Sequence, residues 1–135
     1  MGPLFQVEVH IPSVLATVMA NVGQTIPPPV TGWALIDTGA TYTAIDDGAA
    51  TKLGLSPVGV TTGGTAGGPA THSLYPVRLM FPGVGLDREF EQAAGVNLTG
   101  QMVGNHQIIA LIGRDVLSGC VLTYNGVAGL FTLAW

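Results

Sequence analysis

Short apolar runs that alternate with polar residues, each cut off by glycine or proline, recur along the chain and favour strands over long helices. "LFQVEVHIP" places Val7, Val9 and Ile11 on one side and Gln6, Glu8 and His10 on the other, the pattern of a half-buried strand stopped by Pro12. "SVLATVMANVGQ" fits either a second strand or a short helix. "TIPPPVTG" predicts an extended connector, since three prolines suit neither a helix interior nor a central strand. "WALID" reads as a buried strand and "TGAT" as its turn. "AIDDGAATKLGLSP" predicts a short helix, with Asp46 or Asp47 capping its start, Ala49, Ala50 and Leu53 in its body and Gly54 at its end.

"VGVTTGGTAGGPATHS" is rich in glycine and threonine and lies between the strands "PVGV" and "SLYPVRLMF". It predicts an extended hairpin with a mobile tip. "FEQAAGVNL" and "HQIIALIG" are further strands, and "GRDVLSG" is a short helix. "CVLTYNGVAGLFTLAW" is a second hairpin turning at "NGVAG". No repeat or linker interrupts the pattern, so residues 1–135 read as a single β-rich domain with a single core.

Composition narrows the function. The net charge is −4, and the cations Lys52, Arg78, Arg88 and Arg114 are scattered, so no basic patch exists to hold nucleic acid. The most apolar stretches, around Val14–Val22 and Ile108–Ile112, fall short of the roughly 20 residues a membrane span requires. With no export signal visible, a cytoplasmic location is expected. Cys120 is the only cysteine, which precludes an intrachain disulfide and reads as a small apolar side chain. Without an export signal the sequon Asn97-Leu98-Thr99 carries no weight. His10, His72 and His106 lack ligand spacing, so neither a metal nor a cofactor is expected. Hydrophobic residues make up 47% of so small a chain, which suggests that a partner covers some apolar surface.

Against that background Asp37 stands out. It ends an apolar strand and is followed by Thr38 and Gly39. The glycine lets backbone pass close to the carboxylate, and the threonine hydroxyl can fix local geometry. A carboxylate facing an identical one can share a single proton with it and hold a water between them, because like charges about 3 Å apart cannot both ionise. Such a pair can hydrolyse a peptide bond without a covalent intermediate.

"ALIDTGATYTAID" together with "IIALIGRDVLSGCVLTYNG" resembles the retropepsin-like aspartic proteases, the single-domain, retroviral-type relatives of pepsin. The first segment carries the Asp-Thr-Gly-Ala signature. The second resembles the family's motif of two hydrophobic residues, Gly, Arg, Asp or Asn, a hydrophobic residue and Leu. A glycine-rich hairpin separates them, so the resemblance covers Trp33 to Tyr124, and the closing segment looks like bacterial members of the group. It implies a closed acid-protease β-barrel with a flap hairpin and one or two short helices.

It also implies roles. Asp37 would be the catalytic aspartate of an endopeptidase that works as a homodimer on peptide or protein substrates. Thr38 would brace the two active-site loops across the dimer. Gly39 and Ala40 would line the substrate groove. Thr61–Ser73, with Gly63, Gly64, Gly67 and Gly68, would be the flap. Leu111 and Ile112 would lie under the active-site loop, with Arg114 and Asp115 holding the short helix and that loop. One departure is visible: many retroviral members have an acidic residue where this chain has Thr41, so the ion pair with the helix arginine is missing and viral subsite preferences do not transfer.

Other readings of the same residues exist. Asp37 alone suits a turn or a helix cap. Asp115 would need a following Thr-Gly to act as a second catalytic carboxylate in the same chain, and a helix-start role is ordinary for it. The glycine-rich hairpin matches neither phosphate-binding fingerprint. A rival function is a dimeric binding or scaffold module on the same fold, catalytically silent or cleaving only its own precursor.

Overall fold

Alternation curls this chain into a barrel. In β1 (Leu4–His10) Val7 and Val9 are buried while their neighbours Glu8 and His10 stay half-exposed, as a period of two requires. The computed structural model describes residues 4–65, 68–125 and 130–134. In chain order the elements after β1 are α1 (Ser13–Asn21), β2 (Val30–Ile36), β3 (Ala44–Asp46), α2 (Asp47–Lys52), β4 (Gly59–Thr65) and β5 (Gly68–Phe81). There follow β6 (Leu86–Val96), β7 (Met102–Val103), β8 (His106–Ile112), α3 (Arg114–Leu117), β9 (Val121–Asn125) and β10 (Leu130–Ala134). With ten strands against three short helices among the described residues, the fold is mostly β, as the sequence predicts.

Six strands close on themselves. β1 runs antiparallel to β2 (Phe5 opposite Ala34), and β2 runs parallel to β8 (Ile36 opposite Ile112). β8 is antiparallel to β3 (Ala44 opposite Leu111), and β3 is parallel to β6 (Ile45 opposite Gly95). β6 then pairs with β5 (Leu79 opposite Arg88), and β5 returns to β1 (Leu79 opposite Val9). Closure leaves no unpaired barrel edge. Inside it Val7, Val9, Ile45, Val77, Leu79, Phe81 and Ile112 are almost wholly buried. The β5–β6 register shifts between Tyr75 and Val77, at Pro76, whose ring nitrogen has no proton to give the ladder.

Two strand pairs stand apart. β4 pairs with the first half of β5, from Gly59 opposite Leu74 to Thr65 opposite Gly68, which makes the expected extended hairpin. Its tip at 66–67 lies outside the described residues, so the expectation of a mobile tip falls there too. β9 and β10 form a two-stranded sheet that pairs with no other strand among the described residues, and their turn at 126–129 lies outside them.

The ambiguous segment after Pro12 is a helix, which gives three short helices among the described residues. Ala16 and Met19 of α1, three positions apart, pack against the core, whereas Val14 and Val18 point outward. Its first turn is held from afar, since Glu89 Oε1 accepts both Ser13 N–H (3.0 Å) and the Ser13 hydroxyl (2.6 Å). Residues 24–29 are neither helix nor strand, as the three prolines require. α2 buries Ala49 and Ala50, with Leu53 packed just beyond it, and stops at Gly54, whose φ of +68° is a left-handed backbone that favours glycine. The expected cap is corrected here: Asp46 occupies the cap position, yet its carboxylate accepts Leu98 N–H at 2.9 Å and bonds no helix amide. Among the described residues no helix is long and apolar enough to cross a membrane.

Candidate active site

The strand order creates the site. β8 lies between β2 and β3, so the chain leaving β2 must pass over the end of β8 to reach β3. That crossing is the loop Asp37–Thr43. Asp37 N–H donates to the carbonyl of buried Ile112 at 2.9 Å, which extends the parallel β2–β8 pairing by one bond. Leu111 is half-buried and sits opposite both Leu35 and Ala44, under the same crossing.

Asp37 itself is half-buried, and Thr38 and Gly39 are exposed. Ala40 N–H donates to the Asp37 carbonyl at 3.1 Å, and Gly39 N–H donates to Asp37 Oδ1 at 3.0 Å, a turn capped by its own aspartate. A Cβ at position 39 would come within 3.3 Å of that oxygen, so glycine permits the close approach. Among the described residues, the Asp37 carboxylate makes no other hydrogen bond.

The far half of the loop is locked to α3. Arg114 N–H donates to the Ala40 carbonyl (2.9 Å) and Asp115 N–H to the Thr41 carbonyl (3.1 Å), so loop carbonyls satisfy amides that the helix cannot. Asp115 Oδ2 accepts Thr43 N–H at 3.0 Å, and its Oδ1 accepts the Thr43 hydroxyl at 2.7 Å. The same hydroxyl oxygen accepts Gly113 N–H at 3.1 Å. Arg114 Nη2 donates to Thr41 Oγ1 at 2.9 Å. Gly113 is held so close that an added Cβ would lie 2.6 Å from Tyr42 C and 2.7 Å from its carbonyl oxygen.

Two residues of this assembly escape a reading of the sequence. Thr43 is 1% exposed and is the one buried polar side chain among the described residues. Its signal was its spacing, two positions before buried Ile45 on the same face, since a hydroxyl buried there must find a partner. Tyr42 is 73% exposed and, with Thr61 and Leu74 of the hairpin and Gln92 and Ala94 of β6, lines a cavity of about 270 Å³. The loop and the hairpin thus share a hollow. Gly63 and Gly64 lie farther along β4, opposite Ala70 and Pro69, with open space where a Gly63 side chain would be.

The histidines stay separate. His10 meets Glu8 at 2.8 Å, His72 sits in the hairpin opposite Thr61, and His106 stands edge-on to Trp33 with ring centroids 4.2 Å apart. Among the described residues no three His, Cys, Asp or Glu side chains gather as metal ligands. Cys120 is half-buried, and its thiol donates to the Val116 carbonyl at 3.3 Å.

A closed barrel that carries an Asp-Thr-Gly turn on the loop between two strands, braced by a Gly-Arg-Asp helix, defines an aspartic-protease type of domain. A family model described as aspartyl protease matches residues 18–116, a span that takes in the turn, the hairpin and the start of α3. The chain belongs to the aspartyl protease family, in keeping with its resemblance to the retropepsin-like group. No curated protein matches the sequence.

Proposed function

We propose that this protein is an aspartic endopeptidase whose active form is a homodimer, with Asp37 from each copy of the 135-residue domain facing the other across a two-fold axis. The observation that carries this reading is the state of Asp37. It stands on a turn whose backbone is tied down on both sides, while its carboxylate spends one oxygen on Gly39 N–H and has no other partner among the described residues. A structural aspartate would be used up by its surroundings, as Asp115 is.

Arithmetic supports the dimer, because the chemistry needs two carboxylates in like surroundings and these 135 residues hold one Asp-Thr-Gly. The β9–β10 hairpin supports it. A lone two-stranded hairpin is marginal in water, and a second copy can complete its sheet. In the mechanism one Asp37 is protonated and the other ionised. The ionised member takes a proton from water as the water attacks the scissile carbonyl. The protonated member stabilises the developing oxyanion, and a proton then passes to the leaving amine. Thr38 braces the two loops, and Gly39 and Ala40 line the groove. Gly63 and Gly64 belong to a flap, Leu111 and Ile112 support the floor, and Arg114 and Asp115 hold the loop.

The test is digestion of a peptide library by the wild type and by Asp37→Asn. The amide oxygen of Asn can still accept Gly39 N–H, so the fold should persist while hydrolysis falls to background. Excess Asp37→Asn mixed into the wild type should also poison activity, since heterodimers carry one competent carboxylate. Wild-type cleavage by the variant, or a fully active monomer in sedimentation, would refute the reading.

A further inference from the structure

The chain has four basic side chains of Lys or Arg, and two arginines show opposite fates. Arg78 is neutralised by Asp87 through two hydrogen bonds, with Glu89 at 3.9 Å. Arg114 is not. Its guanidinium donates to the neutral Thr41 hydroxyl, and no carboxylate among the described residues forms an ion pair with it. The adjacent Asp115 cannot serve, because its oxygens are taken by Thr43 and by Val116 N–H. Arg114 is exposed, and its backbone is pinned to the Ala40 carbonyl, so a positive charge on α3 is held beside the loop that begins with Asp37.

We infer that Arg114 is a specificity-determining residue that favours peptides with an acidic side chain a few residues from the bond to be cut. The inference rests on the peptidase reading above and adds a substrate class to it. Thr41 follows Asp37 by four positions, so their Cα atoms are at most about 14 Å apart. An extended peptide advances about 3.3 Å per residue, which puts the acidic side chain roughly two to four residues from the scissile bond. An acid right beside that bond would instead meet the charge of the Asp37 pair.

The test uses matched peptides that carry Glu or Gln, and Asp or Asn, at those positions, assayed with the full-length protein. The wild type should cleave the acidic member with kcat/KM about threefold higher at low salt, the scale of an exposed ion pair. The ratio should fall toward one near 1 M salt, where screening reaches about 3 Å. Arg114→Gln, which can still donate to Thr41, should abolish the preference, and Arg114→Lys should keep it. Ratios within one variant cancel any general loss of activity. Equal rates for the wild type, or an undiminished preference in Arg114→Gln, would overturn the inference. Should Arg114→Gln fail to fold, the wild-type ratio and its salt dependence decide the matter. Cleavage without acid preference defeats this inference alone, whereas no cleavage of any peptide defeats the peptidase reading and the inference with it.

Discussion

Thr43 and Asp115, 72 positions apart in the chain, meet through two hydrogen bonds, hydroxyl to Oδ1 at 2.7 Å and backbone N–H to Oδ2 at 3.0 Å. This contact joins the loop that carries Asp37 to α3. It also explains why the only buried polar side chain among the described residues is tolerated, since no buried side-chain N or O there lacks a partner.

Thr43→Val keeps the shape and removes the hydroxyl, which leaves Asp115 Oδ1 short of a donor and Gly113 N–H without its acceptor. Denaturant unfolding should show a loss of about 2–3 kcal/mol. Thr43→Ser keeps both bonds and should lose about 1 kcal/mol, the worth of one methyl. Equal stabilities for the Val and Ser variants would show that the hydroxyl does not brace the loop.

Gly113→Ala drives a Cβ into the Tyr42 backbone, which cannot swing aside as a side-chain tip can. The loop must shift, with an expected loss of about 1–3 kcal/mol. Peptide cleavage should fall further than that instability explains when assayed well below the melting temperature. Unchanged turnover would mean that the Asp37 loop does not depend on this contact.

Gly63→Val is the opposite case, because no atom lies within 4 Å of the added Cβ and the site is on the hairpin, away from the core. The melting temperature should move by less than about 2 °C while turnover slows, as expected for a segment that closes over substrate. A large drop in melting temperature with normal turnover would make the hairpin a packing element.

Asp87 supplies a pH test. Its hydrogen bonds from Arg78, aided by the nearby charge, hold the carboxyl below its ordinary value of 3.8. A carboxyl lowered in the folded state stabilises the fold above its unfolded pKa, and that benefit disappears as pH falls through the lower folded value. Arg78 is raised and stays charged across the working range. Asp87→Asn should therefore destabilise the fold by under about 1 kcal/mol at neutral pH, because the pair is partly exposed and water screens it. The difference from wild type should hold down to about pH 4 and shrink below it. A difference that grows in acid would contradict the assignment.

Local pattern determined much of this protein. Alternation around Val7 and Val9, the glycine that ends α2 at Gly54, and the placement of Asp37 at the end of an apolar strand are all legible without coordinates, because each depends on neighbours a few positions away. Tertiary structure decided the rest. β3, at three residues, is too short to show a period, yet it joins β8 to β6 and completes the barrel. Ser13–Asn21 became a helix with its first turn held by Glu89, 76 positions away from Ser13. Asp46 turned from its helix to Leu98, and Thr43 found Asp115. The sequence shows which side chains must be buried or bonded. Which partner satisfies them depends on how distant strands fall into register, and that is settled only when the barrel closes.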